Sequence, residues 1–107
     1  MTQRGVIVAR IKPGAQEQVA ALFAESDAGE LPGLAGVRHR SLFTLGDVYV
    51  HLVEVDRDVA KTVEDVRQHP LFRELSARLE PYIEPYDPAT WRSPKDAMGQ
   101  QFYRWDA

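Results

Sequence analysis

Arg40 and His51 stand on either side of a short Gly46-Asp47 turn, and their types suit one kind of chemistry together. A guanidinium stabilises a developing enolate or phenolate oxygen. An imidazole takes a proton from an activated methylene and later returns it to a departing hydroxyl. Those are the two demands of an aldol-type ring closure followed by loss of water. The plainer alternative is a solvated sheet arginine beside a structural histidine, because exposed sheets carry such residues routinely.

Asp27 is the second oddity. It falls at the C-terminal end of a helical pattern, where the macrodipole disfavours a carboxylate. Function, or a nearby cation such as Arg40, would hold it there. Equally, Ser26 and Asp27 belong to a loop and bond to local backbone amides, a common use of both types. The remaining candidates are weaker. His39, His51 and His69 lack the close spacing of a helical metal pair and have no clustered carboxylates, so no metal is expected. Gly29, Gly33 and Gly36 are not followed by Lys-Ser/Thr, so they make no phosphate loop. No serine sits in a nucleophile elbow. Trp91 and Trp105 serve as packing residues more often than as platforms for a ligand.

These side chains need strands and helices to bring them together. Residues 4–12 are rich in β-branched types and read as a first strand, ended by Pro13-Gly14. Val19, Leu22 and Phe23 recur at helical spacing across residues 15–25. Residues 26–36 hold three glycines and a proline and read as a loop. Residues 37–45 and 48–55 alternate around the turn as a β-hairpin. A helix follows from about Asp58, with Val59, Val63 and Val66 as its stripe, and His69-Pro70 opens a third over residues 71–79. Residues 81–86 allow only a short strand, which their prolines confine to an edge. Residues 87–107 form a tail rich in aromatics, expected to pack on the domain or on a partner subunit. The order βαββαβ is ferredoxin-like: an antiparallel sheet with helices on one face, in the α+β class.

The turn pairs Phe43 with Val50 and Leu42 with His51. One hairpin face then carries Val37, Ser41, Phe43, Leu45, Val48, Val50 and Leu52, with His39 and Glu54 at its far end. Being apolar in its middle, it is the face expected to meet the helices. The other carries Arg38, Arg40, Leu42, Thr44, Tyr49, His51, Val53 and Val55, a mixture usual for small-molecule sites. Arg40 and His51 lie diagonally on it, within reach of one ligand.

Bulk properties narrow the classes. With 107 residues the chain is one domain, residues 1–107. A net charge of −3 argues against a general nucleic-acid binder. The absence of cysteine excludes thiol chemistry and disulfides. No stretch has the length of a membrane span, and the start does not read as a signal peptide, so a cytoplasmic location is expected.

Several segments resemble one family. Residues 26–32, 36–43 and 47–52, then His69-Pro70-Leu71-Phe72, residues 85–94, and the ending 96–105 are similar to the tetracenomycin-type aromatic polyketide cyclases, in order and over nearly the whole chain. The resemblance implies a homodimer of the dimeric α+β barrel type with a pocket in each subunit. It also implies action without a cofactor on aromatic polyketide intermediates of bacterial type II synthases, in antibiotic or spore-pigment pathways. Synthase components or an acyl carrier protein are further candidate partners. The family's acid-base and orienting residues carry over onto Asp27, Arg40 and His51. Tyr49, Arg38, Leu42, Ser26 and Trp91 are the expected substrate contacts. Two other functions fit this architecture: a cofactor-independent monooxygenase acting on anthrone-like rings, and a non-catalytic chaperone for the folding polyketide.

Overall fold

A computed structural model describes residues 2–92 and 94–107. Strand β1 (Gln3–Ile11) leads into helix α1 (Gln16–Asp27), a short helix α2 (Leu31–Ala35) and the hairpin β2 (Val37–Leu45) and β3 (Val48–Val55). Helices α3 (Val59–Val66) and α4 (Pro70–Leu79), strand β4 (Ile83–Pro85) and a 3-10 turn (Pro94–Ala97) follow. The four strands form one antiparallel sheet in the order β2-β3-β1-β4, the ferredoxin-like arrangement expected from the element order. β4 is the proline-bearing edge strand. Ser93, within the 85–94 segment of the family resemblance, lies outside the described residues.

Local chemistry explains the boundaries. Asp58 caps α3 by accepting the Lys61 N–H at 2.8 Å, and the Nδ1 of His69 caps α4 by accepting the Leu71 N–H at 3.1 Å. α2 corrects the reading of residues 26–36 as loop. Pro32 is tolerated because it sits in the first turn, where its missing N–H has no partner to lose. Leu31 and Ala35, four apart, are both buried, and Gly36 ends the helix in the left-handed region at φ +71°.

The hairpin register agrees with the expected one, Leu42 opposite His51 and Phe43 opposite Val50. The face assignment does not. The helices cover the mixed face: Tyr49, His51, Val53 and Val55 are buried beneath them, whereas Phe43 and Leu45 on the apolar face are 55% and 83% exposed. β1 accounts for this choice. Its helix-facing side includes Gly5, Ala9 and Ile11, which meet Val19 and Phe23 of α1 and Val59 of α3. A Cβ on Gly5 would stand 2.6 Å from a methyl of Val59, so glycine is what lets α3 dock there. The main cluster joins Ala9, Ile11, Ala15, Val19, Phe23 and Tyr49. Arg40 and His51 therefore sit between sheet and helices, at the edge of the core.

Candidate functional site

Arg40 organises the site. Its Nε donates to Asp27 Oδ2 at 3.0 Å and to Oδ1 at 3.2 Å, and its Nη2 donates to Oδ1 at 2.8 Å. Its Nη1 donates to His51 Nε2 at 2.9 Å, and its guanidinium carbon lies 4.9 Å from the centre of the Phe23 ring. Phe23 and Asp27 are four residues apart on α1, so they present one face to the sheet. No basic residue stands in the last turn of α1, so Arg40, arriving from β2, supplies the positive charge that the Asp27 carboxylate needs there. The Arg40 side chain is only 14% exposed, which makes its charge-assisted bonds stronger than surface pairs and its loss of a partner costly.

The electrostatics follow from the contacts. Arginine has donors only, so the Nε2 of His51 accepts and the imidazole proton sits on Nδ1. Burial, reinforced by the Arg40 charge, pulls the His51 pKa down to about 3. His51 is thus neutral at pH 7, with its lone pair engaged by a cation. Its ring meets Phe23 edge-on at 5.2 Å and Tyr49 at 6.3 Å. Burial pushes the Tyr49 phenol well above the usual tyrosine range, against the opposing pull of Arg40, so it remains a hydrogen-bond donor.

A cleft of about 150 Å³ opens beside this cluster, with Leu42, Tyr49, Val19 and Ile11 as its apolar lining and Gln16 and Thr44 also on it. A second cleft of similar size lies between α1 and α4 and includes Ser26, Leu22, Leu71 and Leu75, with the Glu25–Arg78 ion pair also lining it. Of the residues expected from sequence, Asp27, Arg40 and His51 are in direct contact, and Tyr49 and Leu42 adjoin them. Ser26 faces the second cleft. Arg38 falls at a β-bulge between Val37 and His39, which breaks the alternation, and it lies 3.7 Å from Asp56. Trp91 sits in a turn whose N–H bonds to the Asp87 carbonyl at 3.1 Å, outside the cluster. Phe23 was not expected here; its place four residues before Asp27 was the available signal. Among the described residues no group of three or more metal-ligating side chains converges.

The chain matches the family model described as polyketide synthesis cyclase over residues 3–106. It is 43% identical over 107 residues to tetracenomycin F2 cyclase of Streptomyces glaucescens, spanning all of this chain and 97% of that one. The chain belongs to the polyketide cyclase family. The solved structure of that cyclase, described as a type II polyketide cyclase, superimposes with a TM-score of 0.91 over 98% of each chain. Two other relatives of this cyclase are a Streptomyces coelicolor protein described as uncharacterized and the polyketide synthase CurG of Streptomyces cyaneus. The first is 60% identical, over 94% of this chain and 92% of its own length; CurG is 50% identical, over 94% of each. A structure described as an antibiotic biosynthesis monooxygenase from Chloroflexus aurantiacus shares the fold alone, with 14% identity and a TM-score of 0.58 over 81% of this chain and 86% of its own.

Proposed function

We propose that this cyclase closes a ring in an aromatic poly-β-ketone of a type II pathway by intramolecular aldol addition and then eliminates water. The observation that carries the reading is the bonded set Asp27–Arg40–His51 beside an apolar cleft, in a chain of this family. A β-dicarbonyl oxygen of the substrate, which gains negative charge as its methylene proton leaves, is a better acceptor for Arg40 than a neutral imidazole. As it takes the Nη1 donor, the His51 lone pair is released and the Arg40 charge that depresses its basicity is offset. His51 Nε2 then removes a methylene proton, the resulting carbanion attacks a ketone carbon, and the new alkoxide is protonated. Loss of a second α-proton with departure of the hydroxyl as water gives the conjugated ring, for a net change of one water. Asp27 keeps the guanidinium in place, Tyr49 donates to a carbonyl oxygen, and Leu42 packs on the substrate.

The cleft is smaller than the few hundred Å³ usual for a ligand of this class. The closing ring therefore lies at Arg40 and His51, just outside the cleft, while the rest of the substrate runs along Leu42 towards Gln16 and Thr44. Arg38 and Trp91 have no part in this mechanism within one chain. A second copy of the chain covers the open sheet face, where Phe43, Leu45, Val50 and Leu52 form an apolar surface. The exposed Phe102, Tyr103 and Trp105 of the tail pack on that copy. A cytoplasmic location fits the substrate's origin, and no helix is long and apolar enough to cross a membrane among the described residues.

Incubation with a linear or partly cyclised aromatic polyketide is expected to yield a product lighter by one water. An unchanged product distribution with and without protein would overturn the proposal. A gain of oxygen mass would assign the monooxygenase reaction instead.

A further inference from the structure

Arg40, Leu42 and Thr44 alternate onto one face of β2, with Leu42 opposite His51 and Thr44 opposite Tyr49. Four strand residues put Thr44 about 13 Å from Arg40. Gln16, in the first turn of α1, lines the same cleft as Thr44. Among the described residues, neither the Thr44 hydroxyl nor the Gln16 amide has a hydrogen-bond partner. The cleft thus starts beside the charged set, at Leu42 opposite His51, passes the apolar Val19, and ends at the exposed neutral groups of Gln16 and Thr44.

A poly-β-ketone carries an oxygen on every second carbon, so sliding it by one repeat presents an equally reactive methylene of nearly the same shape. Apolar walls discriminate poorly between such registers, and Arg40 grips whichever enolate reaches it. A hydrogen-bonding group at a fixed distance does discriminate, because the slipped chain leaves it unpaired. We propose that Thr44 and Gln16 form a distal subsite. It bonds a carbonyl or phenolic oxygen remote from the closing ring and so sets which methylene faces His51. The inference rests on the cyclase reading above.

Thr44→Val keeps the shape and removes the hydroxyl, Gln16→Leu removes the amide, and Thr44→Ser restores a hydroxyl. With an aromatic polyketide substrate, the ratio of main ring-closed product to alternative cyclisation products is expected to fall about threefold to tenfold in the first two variants. It should recover in the third. Ratios equal to wild type in both Thr44→Val and Gln16→Leu would overturn the subsite. A fluorescence titration separates this from failure of the cyclase reading. Thr44→Val should weaken binding of a polyhydroxylated anthraquinone by a similar factor and leave unsubstituted anthraquinone unaffected. Equal effects on both probes, or no effect on either, would overturn the subsite. An inactive wild type that still shows the hydroxyl-dependent loss would reject the cyclase reading and support the subsite.

Discussion

Arg40 and His51, the proposed cation and base, are bonded to each other: Arg40 Nη1 donates to His51 Nε2 across 2.9 Å. In the free protein the guanidinium blocks the lone pair that a general base needs, and its charge adds to burial in lowering imidazole basicity. On the proposed mechanism, a substrate carbonyl oxygen that takes the Arg40 donor frees the lone pair, and the charge it develops as the proton leaves offsets the guanidinium. Substrate binding and activation of the base would then be one event in the proposed mechanism.

Asp27→Asn should uncouple this arrangement. Without its carboxylate partner the largely buried guanidinium is free to turn from the substrate position. Displacement of a catalytic group costs up to about 100-fold in kcat/KM. Because Asp27 is partly exposed, the loss of stability should be limited to about 1–2 kcal/mol. Steady-state kinetics and urea denaturation on one preparation check the two expectations together.

Acid should destabilise the fold through His51. Its folded pKa of about 3 lies below the ordinary value of 6.5, so the unfolded chain binds the proton first as pH falls. The contribution is fully present above about pH 6.5 and is lost progressively from there towards pH 3. Its steepest slope is about 1.4 kcal/mol per pH unit, the value of one proton. Urea unfolding between pH 4 and 7 should show a shallower dependence in His51→Asn than in the wild type.

Phe23→Leu removes the ring under Arg40 and beside His51 while keeping an apolar side chain. The expected loss is about 1–2 kcal/mol from the cation–π contact and core packing. A structural role alone would end there. A positioning role also moves the His51 titration followed by NMR, because the ring fixes the geometry of the Arg40–imidazole bond.

The open sheet face is tested by charge. Wild-type protein should scatter light as a dimer at micromolar concentration. Replacing Phe43 and Leu45 together by Glu should give monomers, because two carboxylates per copy would be buried without partners. A wild-type monomer would remove the proposed second copy.

Much of this was legible in the sequence. A two- or four-residue connection at Gly46-Asp47, as opposed to a three-residue loop with a bulge, gives the observed hairpin register, and from that register the Arg40–His51 diagonal follows. Asp27 stood out because its helix end repels it, and Arg40 is the cation that offsets the repulsion. What could not be read was which hairpin face the helices would take. That depends on Gly5 and Ala9 of β1, whose small size admits Val59 and α1 to the mixed face, and the hairpin pattern does not contain this information. α2 was hidden by a proline and glycines whose positions, not their number, permit a helical turn. The bulge that removes Arg38 from the face leaves no mark in an alternating pattern. Phe23 read as ordinary core because its contact with Arg40 exists only once α1 is docked.

The most direct test of the account is single-turnover ring closure, followed by mass and rate, in wild type, Arg40→Ala, His51→Ala and the double variant. Wild type should release one water per turnover. Each single variant should be slower by about 100-fold or more, and the double variant about as slow as either, because the two groups act as a unit. Variants that form the same product at the wild-type rate would contradict the account and leave the shape of the cleft as the only contribution of the protein.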